Sequence, residues 1–356
     1  MSAVSRVGLG RARMVSTVVL VVLAGMFLVT LVAATGSGRL AADFHASYLD
    51  AAQSIRSDGT PYSSGAELPY LYPPVLAELI VPLTFLPDDA ASFLAFLGSL
   101  AAVMGALALV GVRDVRCYAA VVIWAPGWNA FEMANVTAAL TLLAALAWRY
   151  RDQAWPAAGG LGVALSVKVF LWPLLLWNAA TRRVHTAALA LALAVVIAFF
   201  SWAVIGFAGL TSYPDQLGEV EFANSYSFVG MASELGLDPL VGRLAMVLVG
   251  GVLLVAVGYF GQRGDDVRSF ACAVVAALAL SPVVWLHYFV LLVVPLGIAR
   301  PRFAPIWLVP IVLWVCPRAA NGDGVQSLIP AIVVAVMLVA LLATPGVARR
   351  SAESPA

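Results

Sequence analysis

Apolar residues in this chain come in long blocks separated by short polar joints, without the two-residue alternation of half-buried strands. The first block, Met14 to Ala34, already holds the roughly 20 residues a helix needs to cross a bilayer. Further blocks run from about Ala91 to Val112, Tyr118 to Phe131, Val136 to Trp148, Trp155 to Val167, Val169 to Trp177, Thr186 to Gly206, Leu240 to Phe260, Ser269 to Val284, Tyr288 to Ala299, Phe303 to Cys316 and Ser327 to Ala343. This pattern predicts an all-α, polytopic transmembrane helical bundle of roughly 12 helices, forming one integral membrane domain. Several blocks are too short to span alone. They are expected to tilt, break or re-enter where protein or a water-filled cavity can satisfy the backbone.

Two joints are much longer than the rest, at residues 36–89 and 207–238. Loops of this length in a helical bundle usually carry function. In the first, Phe44, Tyr48 and Ala51 recur at helical spacing, which predicts a surface helix over Asp43 to Ile55, broken by Gly59, Pro61 and Tyr62. Tyr72-Pro73-Pro74 then opens a segment, Val75 to Leu86, that is too short to span and is expected to re-enter or lie in the interface.

Composition changes the picture in one respect. With 62% hydrophobic and 11% charged residues and a mean hydropathy of +0.96, the chain cannot hide its apolar residues in a water-soluble core. Charge then orients the bundle, because cytoplasmic loops collect Lys and Arg. With the N-terminus inside, 15 of the 20 basic residues fall on inner loops and 14 of the 19 acidic residues fall outside. Arg6, Arg11 and Arg13 would suit the start of a signal peptide, but no A-x-A site closes the long first block, so it is expected to stay as a helix starting in the cytoplasm. Both termini are therefore expected in the cytoplasm. Cys117, Cys272 and Cys316 have no metal or disulfide spacing, and a net charge of +1 gives no reason to expect a nucleic-acid partner.

Polar residues inside apolar blocks are costly and point to chemistry. Lys168, the single lysine, interrupts Leu161 to Leu176; it could also snorkel to lipid phosphate. The stretch Ser281-Pro282-Val283-Val284-Trp285-Leu286-His287-Tyr288 places an imidazole at an outer helix junction, where a packed, hydrogen-bonding histidine is the plainer reading. Asp43 could serve chemistry or cap the surface helix. Glu219 and Glu221 could hold a divalent ion in principle, but they lie on a solvated loop, and no metal or other cofactor is expected.

Taken in order, several of these landmarks resemble glycosyltransferase family 87, the polyprenyl-phosphate-sugar-dependent enzymes with a GT-C membrane fold that include mycobacterial α-mannosyltransferases. They are Asp43-Phe44 with Tyr48 and Ala51-Ala52, Gly59-Thr60-Pro61-Tyr62, Leu71-Tyr72-Pro73-Pro74, Lys168 with Trp172-Pro173, Asn224-Ser225-Tyr226-Ser227, and Ser281-Pro282 through Trp285-x-His287-Tyr288. The chain departs from the family's Gly-Gln-x-Asn-like turn, having Ala134-Asn135-Val136-Thr137 instead, with Asn135 in the polar role. Ser225 also stands where the family pattern has glutamine.

The resemblance implies transfer of a sugar, mannose first, from a polyprenyl-phosphate donor to a glycolipid or lipoglycan hydroxyl, with inversion, on the face away from the cytoplasm. It implies Asp43 as the base that takes the acceptor proton. It implies Lys168 and His287, with His45 as a further candidate, as the groups that answer the departing phosphate. Tyr48, Tyr62, Tyr72, Asn135, Asn224, Trp285 and Tyr288 are expected around the sugar and the lipid, although the aromatic ones would equally suit an interfacial belt. A transporter or flippase would share the many helices and the buried lysine, but such proteins tend to carry internal repeats with paired broken helices, and none is evident.

Overall fold

The computed structural model describes residues 3–33, 40–62, 70–214, 225–317 and 322–343, with side chains of the first helix described from Arg13. Asn224, Glu219 and Glu221 lie outside the described residues. All regular structure among those described is helical. The order is α1 (Ala3–Ala33), a π-helical turn (Phe44–Leu49), α2 (Asp50–Asp58), α3 (Pro74–Ile80), α4 (Asp88–Leu109), α5 (Val115–Ile123), α6 (Ala125–Met133) and α7 (Thr137–Arg149). Then come α8 (Ala154–Val167), α9 (Pro173–Ala180), α10 (Val184–Val204), α11 (Phe228–Glu234), α12 (Pro239–Gln262), α13 (Asp266–Ala279), α14 (Val293–Ala299) and α15 (Ile329–Leu342).

Among the described residues, five helical stretches are long and apolar enough to cross a membrane: Arg13–Ala33, α4, α10, α12 and Gly324–Leu342. The count rises to six if α6 and α7, bent by 115° at their junction, form one broken span. The other apolar blocks are shorter helices, and local sequence explains why. Pro126 can only begin a helix, so the block Tyr118 to Phe131 divides into α5 and α6 at an extended Trp124. Lys168 is extended (φ −153°, ψ 108°) and ends α8; a short 3₁₀ turn follows, and Pro173 starts α9. Pro305 and Pro310 go with a 3₁₀ form over Pro305–Val315. The first long joint matches its sequence pattern closely: Gly59 ends α2 in the left-handed conformation (φ 75°), and α3 runs into a 3₁₀ turn, Val81–Phe85.

Helix faces such as Val195, Val196, Phe199 and Phe200 on α10, or Leu244, Leu248 and Val255 on α12, are exposed and apolar, as lipid contact requires. The interior is closed by small residues. A Cβ on Gly162 would sit 2.8 Å from Leu193 Cβ, which is how tightly α8 lies against α10.

Charges gather where helices turn. Asp266 at the start of α13 accepts from Arg151 Nε (2.9 Å), both terminal nitrogens of Arg183 (2.9 and 2.8 Å) and Trp177 Nε1 (2.9 Å). Burial raises the Asp266 carboxyl, but the two guanidinium groups and the indole outweigh it and leave the group below its ordinary value. Three interhelical turns are thereby locked at one end of the bundle. Asn135 and Lys168 lie at the other ends of α7 and α8, helices of 13 and 14 residues, so about 20 Å separates them from this ionic knot.

Candidate active site

The bend between α6 and α7 builds the site. Ala134 adopts a left-handed conformation (φ 46°), which turns the chain through the break and leaves Asn135 at the start of α7. Asn135 Oδ1 accepts from the backbone N–H (2.9 Å) and the hydroxyl (2.7 Å) of Thr137, satisfying donors at the start of α7. Its amide nitrogen is then aimed outward, donating to Asp43 Oδ2 (2.9 Å) and to the Tyr48 hydroxyl (2.9 Å).

Asp43 precedes the π-helical turn but makes no side-chain cap to it, so helix capping is not its role. The segment is pinned to α6 instead by the Ala41 N–H, which donates to Glu132 O (2.6 Å). Burial raises the Asp43 carboxyl above the ordinary aspartate value, while the Asn135 amide and the charge of Lys168 pull it partly back.

From Tyr48 the network continues. Its hydroxyl meets that of Tyr72 (3.1 Å), and Lys168 Nζ donates to the Tyr72 hydroxyl (3.5 Å) and to that of Tyr288. Four hydrogen-bond steps thus join the carboxylate to the ammonium, Asp43 to Asn135 to Tyr48 to Tyr72 to Lys168. Lys168 lies 4.0 Å from the Tyr288 ring centre and 5.0 Å from that of Tyr72, and no described ion pair includes it. Rings and hydroxyls surround this amine with no described carboxylate bonded to it, so an incoming anion would be its counter-charge.

His287 is buried in the 3₁₀ stretch Leu286–Leu292, its ring 5.1 Å from that of Tyr288. Its Nδ1 faces Asn129 Oδ1 at 3.2 Å. Sequence reasoning missed Asn129, which falls within a block counted as a single pass; the signal was an amide inside an apolar run, just after Pro126-Gly127.

The remaining candidates stand apart or in support. Tyr62 stacks on Trp202 (5.2 Å, 10° between planes) and donates to the Tyr72 carbonyl (2.8 Å), so it steadies Tyr72 from behind. Trp285 ends the chain's approach to the 3₁₀ stretch and accepts from the Tyr288 N–H through its carbonyl (2.9 Å), with no described side-chain bond to the network. His45 points elsewhere: it is exposed, and its Nε2 lies 3.4 Å from Asp88 Oδ2.

Two clefts are described; the first shares Tyr48 and Asn135 with the cluster, and the second contains none of its residues. One, lined by Phe44, Tyr48, Ile80, Gly98 and Asn135, opens on the Asp43 side. The other, nearly all apolar, runs past Tyr226, Val284, Phe289, Leu253 and Val334 between α12, α13 and α15.

The sequence profile of glycosyltransferase family 87 matches residues 70–286, well over half of the chain. The chain belongs to glycosyltransferase family 87. Two relatives within it are polyprenol-phosphate-mannose-dependent α-(1-2)-phosphatidylinositol pentamannoside mannosyltransferases. The one from Mycobacterium tuberculosis is 25% identical over 308 residues, covering 78% of this chain and 67% of the relative. The one from Mycolicibacterium smegmatis is 27% identical over 281 residues, covering 73% and 63%. A polyprenol-phosphate-mannose-dependent α-(1-2)-phosphatidylinositol mannoside mannosyltransferase of M. tuberculosis is 25% identical over 261 residues, with 64% of this chain and 60% of the relative covered. The chain thus spans roughly two thirds of the length of these family 87 relatives. No solved structure matches it. The family suggested by the ordered landmarks is the family found, and the match takes in Tyr72, Lys168 and Trp285; His287 lies one residue past its end, and Asp43 lies well before its start at residue 70.

Proposed function

We propose that this protein is a membrane-embedded mannosyltransferase with a GT-C-like bundle. It moves mannose from a polyprenyl-phosphate donor to a hydroxyl of a glycolipid or lipoglycan on the extracytoplasmic face of the cell membrane. The observation that carries the proposal is the continuous path of hydrogen bonds from the Asp43 carboxylate to the unpaired Lys168 ammonium, with His287 alongside. A transfer of this type needs a base at one end of the reacting bond and a cation at the other.

Asp43 takes the proton of the acceptor hydroxyl as its oxygen attacks the anomeric carbon. The bond from that carbon to the phosphate oxygen breaks, and its electron pair leaves with the polyprenyl phosphate. Lys168 and His287 meet the negative charge that grows there. Direct attack inverts the centre, giving an α product from a β-linked donor. The cleft beside Asn135 and Tyr48 suits the acceptor, and the apolar cleft past Val284 and Phe289 suits the polyprenyl tail. Exposure and the Asp88 contact argue against His45 as a phosphate ligand. The outward-facing orientation is supported by the basic residues Arg151 and Arg183, which collect at the end opposite the site. No observation favours a transporter.

The test supplies purified protein with polyprenyl-phosphate mannose and a phosphatidylinositol mannoside acceptor, and compares wild type with Asp43→Asn. Transfer by the first and a loss of about 1000-fold or more in the second is expected, the upper range of what a general base contributes. Equal turnover removes Asp43 from the role of base; absence of transfer from every lipid-linked sugar refutes the proposal.

A further inference from the structure

Among the described residues, the buried polar atoms Asn129 Nδ2 and His287 Nε2 have no hydrogen-bond partner. They belong to side chains that touch each other, through Asn129 Oδ1 and His287 Nδ1, and both residues are almost fully buried (1% and 4% exposed). Leaving such groups unpaired is costly, so a buried orphan calls for a ligand or a water.

The arrangement selects among ligands. With Oδ1 turned to the ring, the imidazole carries its proton on Nδ1, and Nε2 is free to take a second proton when an anion faces it. Asn129 Nδ2 offers a donor directly. The Lys168 ammonium is reached through the neighbouring residue Tyr288, whose hydroxyl it holds and whose ring packs 5.1 Å from His287. The carboxylates closest to this region are already engaged: Glu132 Oε2, one turn further along α6, accepts from Trp128 Nε1, and Asp43 Oδ2 accepts from Asn135 Nδ2. An anionic oxygen can accept from Asn129 Nδ2 and draw the second proton onto Nε2, and the Lys168 ammonium beside Tyr288 favours such an anion over a neutral hydroxyl.

We infer that Asn129 is a phosphate-binding residue: it donates Nδ2 to the donor's phosphate and, through Oδ1, holds His287 in the form that presents Nε2 to the same phosphate. This rests on the lipid-phosphate donor proposed above and adds a residue to it. Asn129 also links the two arms of the site, because it lies on α6 and Asn135 stands at the α6–α7 bend.

The probe is polyprenyl phosphate itself, without sugar. In wild type carrying ¹⁵N-histidine, only three histidines contribute signals. Adding polyprenyl phosphate is expected to move the Nε2 resonance assigned to His287 while its Nδ1 stays protonated. The same compound should inhibit transfer competitively against the donor, and Asn129→Asp, which keeps an acceptor toward Nδ1 but loses the amide donor, should raise its inhibition constant about 10- to 100-fold, as expected for losing one hydrogen bond to a charged group. An Nε2 resonance that does not respond in wild type overturns the inference without any variant, and so does an inhibition constant unchanged by Asn129→Asp. Sugar transfer with no response at His287 sinks this inference alone. A response at His287 with no transfer from any lipid-linked sugar sinks the transferase reading instead and leaves the phosphate site standing.

Discussion

Replacing Asn135 by aspartate tests the base assignment through a property that simple damage cannot imitate. The substitution is isosteric, and the new carboxylate keeps an acceptor toward the Thr137 N–H and hydroxyl, so the start of α7 retains its partners. On the other side it places a second carboxylate oxygen where an amide now donates to Asp43 Oδ2 at 2.9 Å. Two charges about 3 Å apart repel by roughly 5 kcal/mol at an effective dielectric constant near 20. The pair then shares one proton, and its second ionisation moves up by as much as three or more pH units.

The sign follows from the chemistry. The base works only when deprotonated, so activity is lost as pH falls through the Asp43 value, which burial already holds above that of ordinary aspartate. In the variant, the acid limb of the kcat/KM profile for sugar transfer should shift upward by about two units or more, with activity recovering at high pH. At any pH on the acid limb, activity falls by roughly 100-fold on the same arithmetic. A profile lowered by the same factor at every pH, with its acid limb unmoved, would refute the idea that Asp43 titrates in the reaction.

Three further outcomes bear on other parts of the molecule. Lys168→Met, close in length but uncharged, should lower kcat/KM for the lipid-phosphate donor by about 10- to 100-fold, read from initial rates over a donor series, because the departing phosphate loses a charged donor. Asp266→Asn should destabilise the solubilised protein by about 3 kcal/mol, seen as a lower Tm, because Arg151 and Arg183 are left without their shared carboxylate while the active site, a helix length away, is untouched. Asp114 is held down to about 2 by the Arg116 guanidinium, so its roughly 2 kcal/mol of stability is present above the ordinary aspartate range and fades as pH falls toward 2; Asp114→Asn should flatten that acid limb of a stability titration.

How much of this was legible in the sequence depends on the range of the interaction. Lys168, Tyr72 and Tyr288 were visible because polar and aromatic groups at the edge of apolar blocks are rare, and the order of landmarks tied them to Asp43. Block length was a poorer guide. Tyr118 to Phe131 has the composition of one pass, yet Pro126 makes it two helices, and the bend after Met133 sits at an alanine where a glycine would have announced it. Asn129 was missed for the same reason, since its meaning comes from a contact 158 positions along the chain. Spacing alone does not show that the π-helical turn beginning at Phe44 leaves His45 exposed beside Asp88.

The bend at Ala134 has a mechanical consequence. One arm of the elbow carries the amide set against His287, and the amide at its vertex grips Asp43, so the angle between the arms fixes how far apart Asp43 and His287 are held. The chain has made this calliper out of continuous backbone, whose opening is set once, on folding. A single residue in a left-handed conformation therefore governs the spacing of Asp43 and His287.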